Sequence, residues 1–201
     1  MNDAKIRLSP EQMQLVTSAD WILTKNAIIQ KVMEMFGALA GEMQRLIQLA
    51  DLPEEPKQTN AKISKGENYQ GLPYVVLDYP RLFTKESVFA IRTFFWWAHY
   101  FSITLHLKGH YKQLLSDRIA AHLPQLSRTN FFLCTSSDEW QHEVSQENYL
   151  RMDQVDEQEF RQVAQATAFL KITAKVPLDD WDQAPEWLLS RLAEIIRVLE
   201  T

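Results

Sequence analysis

Arg92, Trp96, Tyr100, Thr104 and His106 occupy even positions of a stretch that also carries six aromatic residues between Phe94 and Phe101. If the stretch is extended, these five side chains point to one side at intervals of roughly 7 Å or its multiples. Such a line has binding chemistry. Trp96 and Tyr100 would be stacking walls, Arg92 a counter-charge for an anion, and His106 a proton donor or acceptor. The candidate ligand site is therefore Arg92, Trp96, Tyr100 and His106. Two competing readings stay open: helices cover this side too, with Arg92 and His106 at its wet ends, or it is a surface for a partner protein. The odd positions, Phe95, Trp97, His99, Phe101, Ile103, Leu105 and Leu107, form a nearly all-apolar face. His99 is expected there as a core residue with one satisfied hydrogen bond.

Other chemistry is thinner. Cys134 is the only cysteine, and its flanks Phe131-Phe132-Leu133 read as a buried strand in which a thiol fills space. His106 and His110 stand four apart, but Gly109 between them breaks the helix that would give that spacing meaning. No paired cysteines, Gly-x-Ser-x-Gly elbow or phosphate-cradling glycine loop occurs. Catalytic residues are thus unknown, and no metal or cofactor is expected. Asp179-Asp180-Trp181-Asp182 precedes a helix, where carboxylates suit the positive end of the dipole.

The chain has 201 residues, 46% of them hydrophobic, enough for a core without disulfides or metals. A net charge of -5 argues against a nucleic-acid-binding surface. Acid is concentrated between Asp138 and Phe160, where eight carboxylates face Arg151 alone. That segment reads as a solvated flank, or else as a docking surface for a basic partner. The first residues lack an apolar leader, and the 14-residue run from Phe94 to Leu107 is too short and too polar to span a bilayer. A soluble, cytoplasmic protein is expected.

These side chains need elements to position them. Ser9-Pro10-Glu11-Gln12 is a capping box with proline at the first helical position. A helical stripe follows almost to Leu49, with a break expected near Ser18-Ala19-Asp20. Gly37 and Gly41 suggest the close approach of a neighbouring backbone. Residues 51–71, rich in proline, glycine and charge, are expected to form a loop serving as lid or linker. Strands are expected at Leu72–Asp78, over the aromatic stretch with a bulge or bend near Ala98, at Asn130–Thr135, and at Ala168–Val176. A short acidic edge strand near Trp140–Val144 and one helical turn over Lys85–Phe89 are further expectations. Asp156 caps a helix ending near Ala166, and Pro185 opens a last helix striped by Leu188, Leu192, Ile195, Ile196 and Leu199.

The order predicts a single α+β domain over 1–201, comprising a helical segment over 10–50, the loop over 51–71, and sheet with helices over 72–201. The sheet is expected to be mostly antiparallel, of about four or five strands, with a long N-terminal helical segment and a C-terminal helix packed on it. The segment Gly66-Glu67-Asn68-Tyr69-Gln70-Gly71-Leu72-Pro73-Tyr74-Val75-Val76-Leu77-Asp78-Tyr79-Pro80, with Arg92-Thr93-Phe94-Phe95-Trp96-Trp97, resembles uncharacterised bacterial proteins over about a third of the chain. The resemblance implies no activity and carries no residue roles. The expected function is that of a binding or accessory protein self-associating through its N-terminal helices. The alternative is a small-molecule binder or enzyme using the Arg92/Trp96/Tyr100/His106 face.

Overall fold

Ser9 closes the expected box: its hydroxyl accepts the Gln12 N–H at 3.2 Å, and its own N–H donates to the Gln12 side chain at 2.9 Å. The computed structural model, which describes residues 6–200, then runs through α1 (Pro10–Thr17) and α2 (Ala19–Leu49), parted at Ser18. At 31 residues, α2 is about 46 Å long. It buries Ile29, Val32, Phe36, Leu39, Met43 and Ile47, a stripe stepping by three and four. No described residue before Ile29 is buried, and α1 buries none of its residues. The first part of this helical segment therefore stands off the core as an arm. Gly37 and Gly41 meet no neighbour: nothing lies within 4 Å of a side chain added at either. The expected close backbone approach is absent among the described residues.

Residues 51–71 are not a loop. They hold α3 (Glu54–Lys57) and β1 (Lys62–Tyr69), which pairs antiparallel with β2 (Leu72–Phe83). The strand went unread because it is an edge. Its face is largely exposed and its charges (Lys62, Lys65, Glu67) are what a sheet border uses to avoid pairing with another chain. Beyond β2 come β3 (Val88–Trp96), β4 (Tyr100–Lys108), α4 (His110–Ala121), α5 (Leu123–Ser127) and β5 (Phe131–Cys134). The chain ends with β6 (Tyr149–Arg151), α6 (Glu157–Ala166), β7 (Phe169–Pro177) and α7 (Ala184–Leu199). Among the described residues one antiparallel sheet of seven strands results, in the order β1-β2-β3-β4-β7-β5-β6. The expected count of four or five missed the edge strands and the division of the aromatic stretch. No helix forms over 85–89; Thr84 and Ser87 close a tight turn instead.

The aromatic stretch is a hairpin rather than one ribbon. Trp97, Ala98 and His99 reverse the chain, with Ala98 at φ 63°, so the bend expected near Ala98 is a full reversal. His99 leaves the core: it is exposed in the turn, its ring stacked on Trp96 at 3.5 Å. The two-faced partition nevertheless holds along the strands. Directly paired residues of antiparallel strands share a face, and the register pairs Trp96 with Tyr100, Phe94 with Ser102, Arg92 with Thr104 and Ala90 with His106. Every pair joins even to even, so parity survives the turn.

The odd face packs under helices. Phe89, Ile91, Phe95, Phe101, Ile103, Leu105 and Leu107 share one core with α2, α4 and α7, and the predicted stripe of α7 is buried in it. Asp156 caps α6 by accepting the Glu159 N–H at 2.8 Å. The aspartates at 179, 180 and 182 lie in a short 3-10 helix and make no capping hydrogen bond to α7.

Candidate binding face and the strap that covers it

The even face of the central strands carries Arg92, Phe94 and Trp96 on β3, Tyr100, Ser102, Thr104 and His106 on β4, and Phe169, Lys171, Thr173 and Lys175 on β7. The four predicted site residues do share it. What covers them is neither solvent nor a helix but the connection between β5 and β6. Residues 135–148 contain no strand, so the expected Trp140–Val144 edge strand is absent, and they lie across the sheet as a strap.

A strap without a ladder must satisfy its peptide groups otherwise. Sheet side chains do this. The Tyr69 hydroxyl accepts the N–H groups of His142 and Glu143 at 2.8 and 3.1 Å. The Tyr100 hydroxyl accepts from Val144 at 2.9 Å and donates to the His142 carbonyl at 3.1 Å. Lys171, only 1% exposed, donates to the carbonyls of Glu139 and Gln141 at 3.0 and 2.6 Å. Lys175 donates to the Val144 carbonyl at 3.1 Å. Val144 completes the contact from the strap side, packing in an apolar cluster with Val76, Phe94, Trp96, Tyr100 and Phe169.

Arg92 is likewise engaged from within, whereas Trp96 Nε1 and His106 Nε2 are buried without a hydrogen-bond partner among the described residues. Arg92 holds Asp78 in a two-pronged ion pair, 2.7 and 2.9 Å, and its remaining nitrogen meets His142 Nε2 at 3.0 Å. Trp140 of the strap caps the guanidinium at 5.8 Å. His106 is 5% exposed, with the Glu139 carboxylate 3.6 Å from Nε2. Burial, then the charges of Lys171, Arg92 and Lys108, push the His106 pKa down to about 3. Burial first, then the charges of Lys171 and Arg92, hold His142 well below the usual imidazole range. Burial likewise lowers Lys171 to about 8. At neutral pH this is a pair of uncharged rings among cations. Glu139 also bonds Lys108 at 3.1 Å, so part of the acidic flank faces inward rather than outward.

Cys134 is buried on β5, in the same cluster. No three histidine, cysteine or acidic side chains converge on a metal-sized point among the described residues. An open cleft of about 410 Å3 does lie at one end of this face, bordered by Tyr100, Phe132, Arg151 and Lys175. Of the predicted set it takes in Tyr100. Phe132, Arg151 and Lys175 were missed, although lysines alternating with Phe169 and Thr173 along a strand were a signal that this face must supply acceptors for them. No helix among the described residues is long and apolar enough to cross a membrane.

Comparison with known proteins finds no matching family model, curated protein or solved structure.

Proposed function

We propose that the protein is a cytoplasmic binding or accessory protein, of the uncharacterised bacterial kind its central segment resembles, that works as a self-associated assembly. A second copy covers the N-terminal arm in this reading. One observation carries it: α1 buries none of its residues, and α2 buries none ahead of Ile29. Ile6, Leu8, Met13, Leu15, Val16, Trp21, Ile22 and Leu23 are all exposed large apolar residues. An eight-residue helix is marginal in water on its own, so a helix like α1 calls for a surface to lie against. Those side chains, at roughly 100 Å2 each, would cover about 800 Å2 per copy, the size of an ordinary stable interface.

A second copy fits the charge better than other occupants. Between Ile6 and Thr24 the only charged residues are Arg7, Glu11 and Asp20. A near-neutral arm attracts neither a basic nor an acidic partner strongly, carries Arg7 alone where membrane-surface helices are rich in lysine and arginine, and meets its own copy without repulsion. Light scattering after gel filtration is the test. A dimer that Trp21→Ser with Leu15→Ser converts to monomer supports the reading; a monomer at high micromolar concentration ends it.

The alternative, a small-molecule binder using the Arg92/Trp96/Tyr100/His106 face, is favoured by one observation: Tyr100 borders the open cleft.

A further inference from the structure

Lys175 places its ammonium group at the wall of an open cleft. Its Nζ lies 5.1 Å from the Tyr100 ring centre and 5.5 Å from that of Phe132, over the faces of both. Among the described residues the Val144 carbonyl is its one hydrogen-bond acceptor, and an ammonium has three protons to donate. The side chain is partly exposed, and the cleft of about 410 Å3 opens beside it. That volume falls within the range of small-ligand sites. Arg151 borders the same cleft and presents a guanidinium, one side of which is held by Asp153 in a two-pronged pair, Nε–Oδ1 at 3.0 Å and a terminal nitrogen to Oδ2 at 2.5 Å. A neighbouring hollow of about 420 Å3 shares Phe132, Arg151 and Lys175 and runs towards Val144 and Tyr149. The rest of the lining includes Phe131 and the His99 ring, the latter stacked on Trp96.

The occupant's chemistry follows by exclusion and complement. A ligand cation would need the aromatic faces, and Lys175 already holds them. A neutral apolar molecule would leave the two remaining ammonium protons unmet in a partly dehydrated wall. A carboxylate or phosphate ester satisfies both, and Arg151 adds a second donor group of the geometry that suits such anions. The surrounding rings suit a flat apolar body. Asp153 opposes an anion and sets the affinity lower than the two cations alone would. We infer that the cleft between Lys175 and Arg151 binds a small organic anion with a flat, apolar body. The cleft uses no residue of the N-terminal arm, so its occupancy is read on the intact chain whatever assembly that chain forms.

A titration followed by amide NMR tests it, with three probes: benzoate, the neutral benzyl alcohol, and inorganic phosphate. Benzoate is expected to give saturable shifts at residues 99–100, 131–132 and 175. The other two should bind at least about tenfold more weakly, because benzyl alcohol brings no charge to the ammonium and phosphate brings no ring to the aromatic wall. Asp153→Asn, at an exposed position with no role in the core, should tighten benzoate, and Arg151→Gln should weaken it. Lys175→Met should abolish the shifts, but it also frees the strap at Val144, so the two surface variants decide if it fails to fold. Equal binding of benzyl alcohol would remove the anion from the claim, and equal binding of phosphate would remove the organic body. Weaker benzoate binding in Asp153→Asn, or shifts confined to other residues, would overturn the site altogether.

Discussion

The Tyr100 hydroxyl accepts the Val144 N–H at 2.9 Å, tying a sheet residue to a peptide group 44 positions later in the chain. With its donation to the His142 carbonyl at 3.1 Å, one phenol satisfies both a donor and an acceptor of the strap. Burial raises the Tyr100 pKa well above that of an ordinary phenol, so the hydroxyl keeps the proton that this double role requires. Tyr100→Phe leaves two peptide groups unmet without removing the ring from its cluster. A loss of about 1–3 kcal/mol is expected in urea unfolding, with faster hydrogen exchange at residues 142–144 than in the helix-covered core. Uniform exchange across the chain would show that the strap is not held this way.

Acid should weaken the protein through His106 and His142. Both folded-state pKa values lie below the ordinary 6.5, that of His106 at about 3. The unfolded chain therefore binds these protons first as pH falls, and stability declines from pH 6.5 down towards about 3. His106→Phe keeps an aromatic ring beside Trp140 and Phe169 and removes one of the titrations. Its unfolding midpoint in urea should fall less steeply than the parent's over that window; parallel curves would contradict the assignment.

Trp96 is 1% exposed beneath the strap, in contact with Tyr69, Tyr100 and His99. Trp96→Ala is expected to cost about 3–5 kcal/mol, the usual loss for a buried large aromatic. Thermal and urea unfolding measure it. A loss below about 1 kcal/mol would mean the strap does not seal this face.

Two surface glycines offer the opposite sign. Gly37→Ala and Gly41→Ala meet open space on α2, and each should stabilise by up to about 1 kcal/mol through helix propensity and a less free unfolded chain. Ala98 at φ 63° is the complementary case: Ala98→Gly should relieve a left-handed conformation that costs a non-glycine residue about 1 kcal/mol. Thermal midpoints of all three variants should lie above the parent's; a midpoint at or below it would contradict the assignment at that position.

Several elements were legible because their determinants are local. The Ser9 box, the break at Ser18, the Asp156 cap and the α7 stripe each depend on residues within one or two helical turns. The two faces of the aromatic stretch were legible for a related reason: side-chain alternation is a property of any extended backbone, and an even-to-even register carries it through a reversal. The reversal itself was not legible, since Trp97-Ala98-His99 has neither glycine nor proline to mark a turn. β1 was missed because an edge strand needs little apolar surface.

The covering of the candidate face lay beyond the sequence altogether. Polar and aromatic residues on one side of a strand announce that something must meet them, and by themselves Arg92, Trp96, Tyr100 and His106 do not distinguish a ligand from the protein's own main chain. Which segment arrives depends on β7 inserting between β4 and β5, a pairing of strands far apart in sequence. That arrangement brings Lys171 and Lys175 beside β4 and lays residues 135–148 across the face. Local propensity encodes which groups require partners; only the closed chain decides which partners they find.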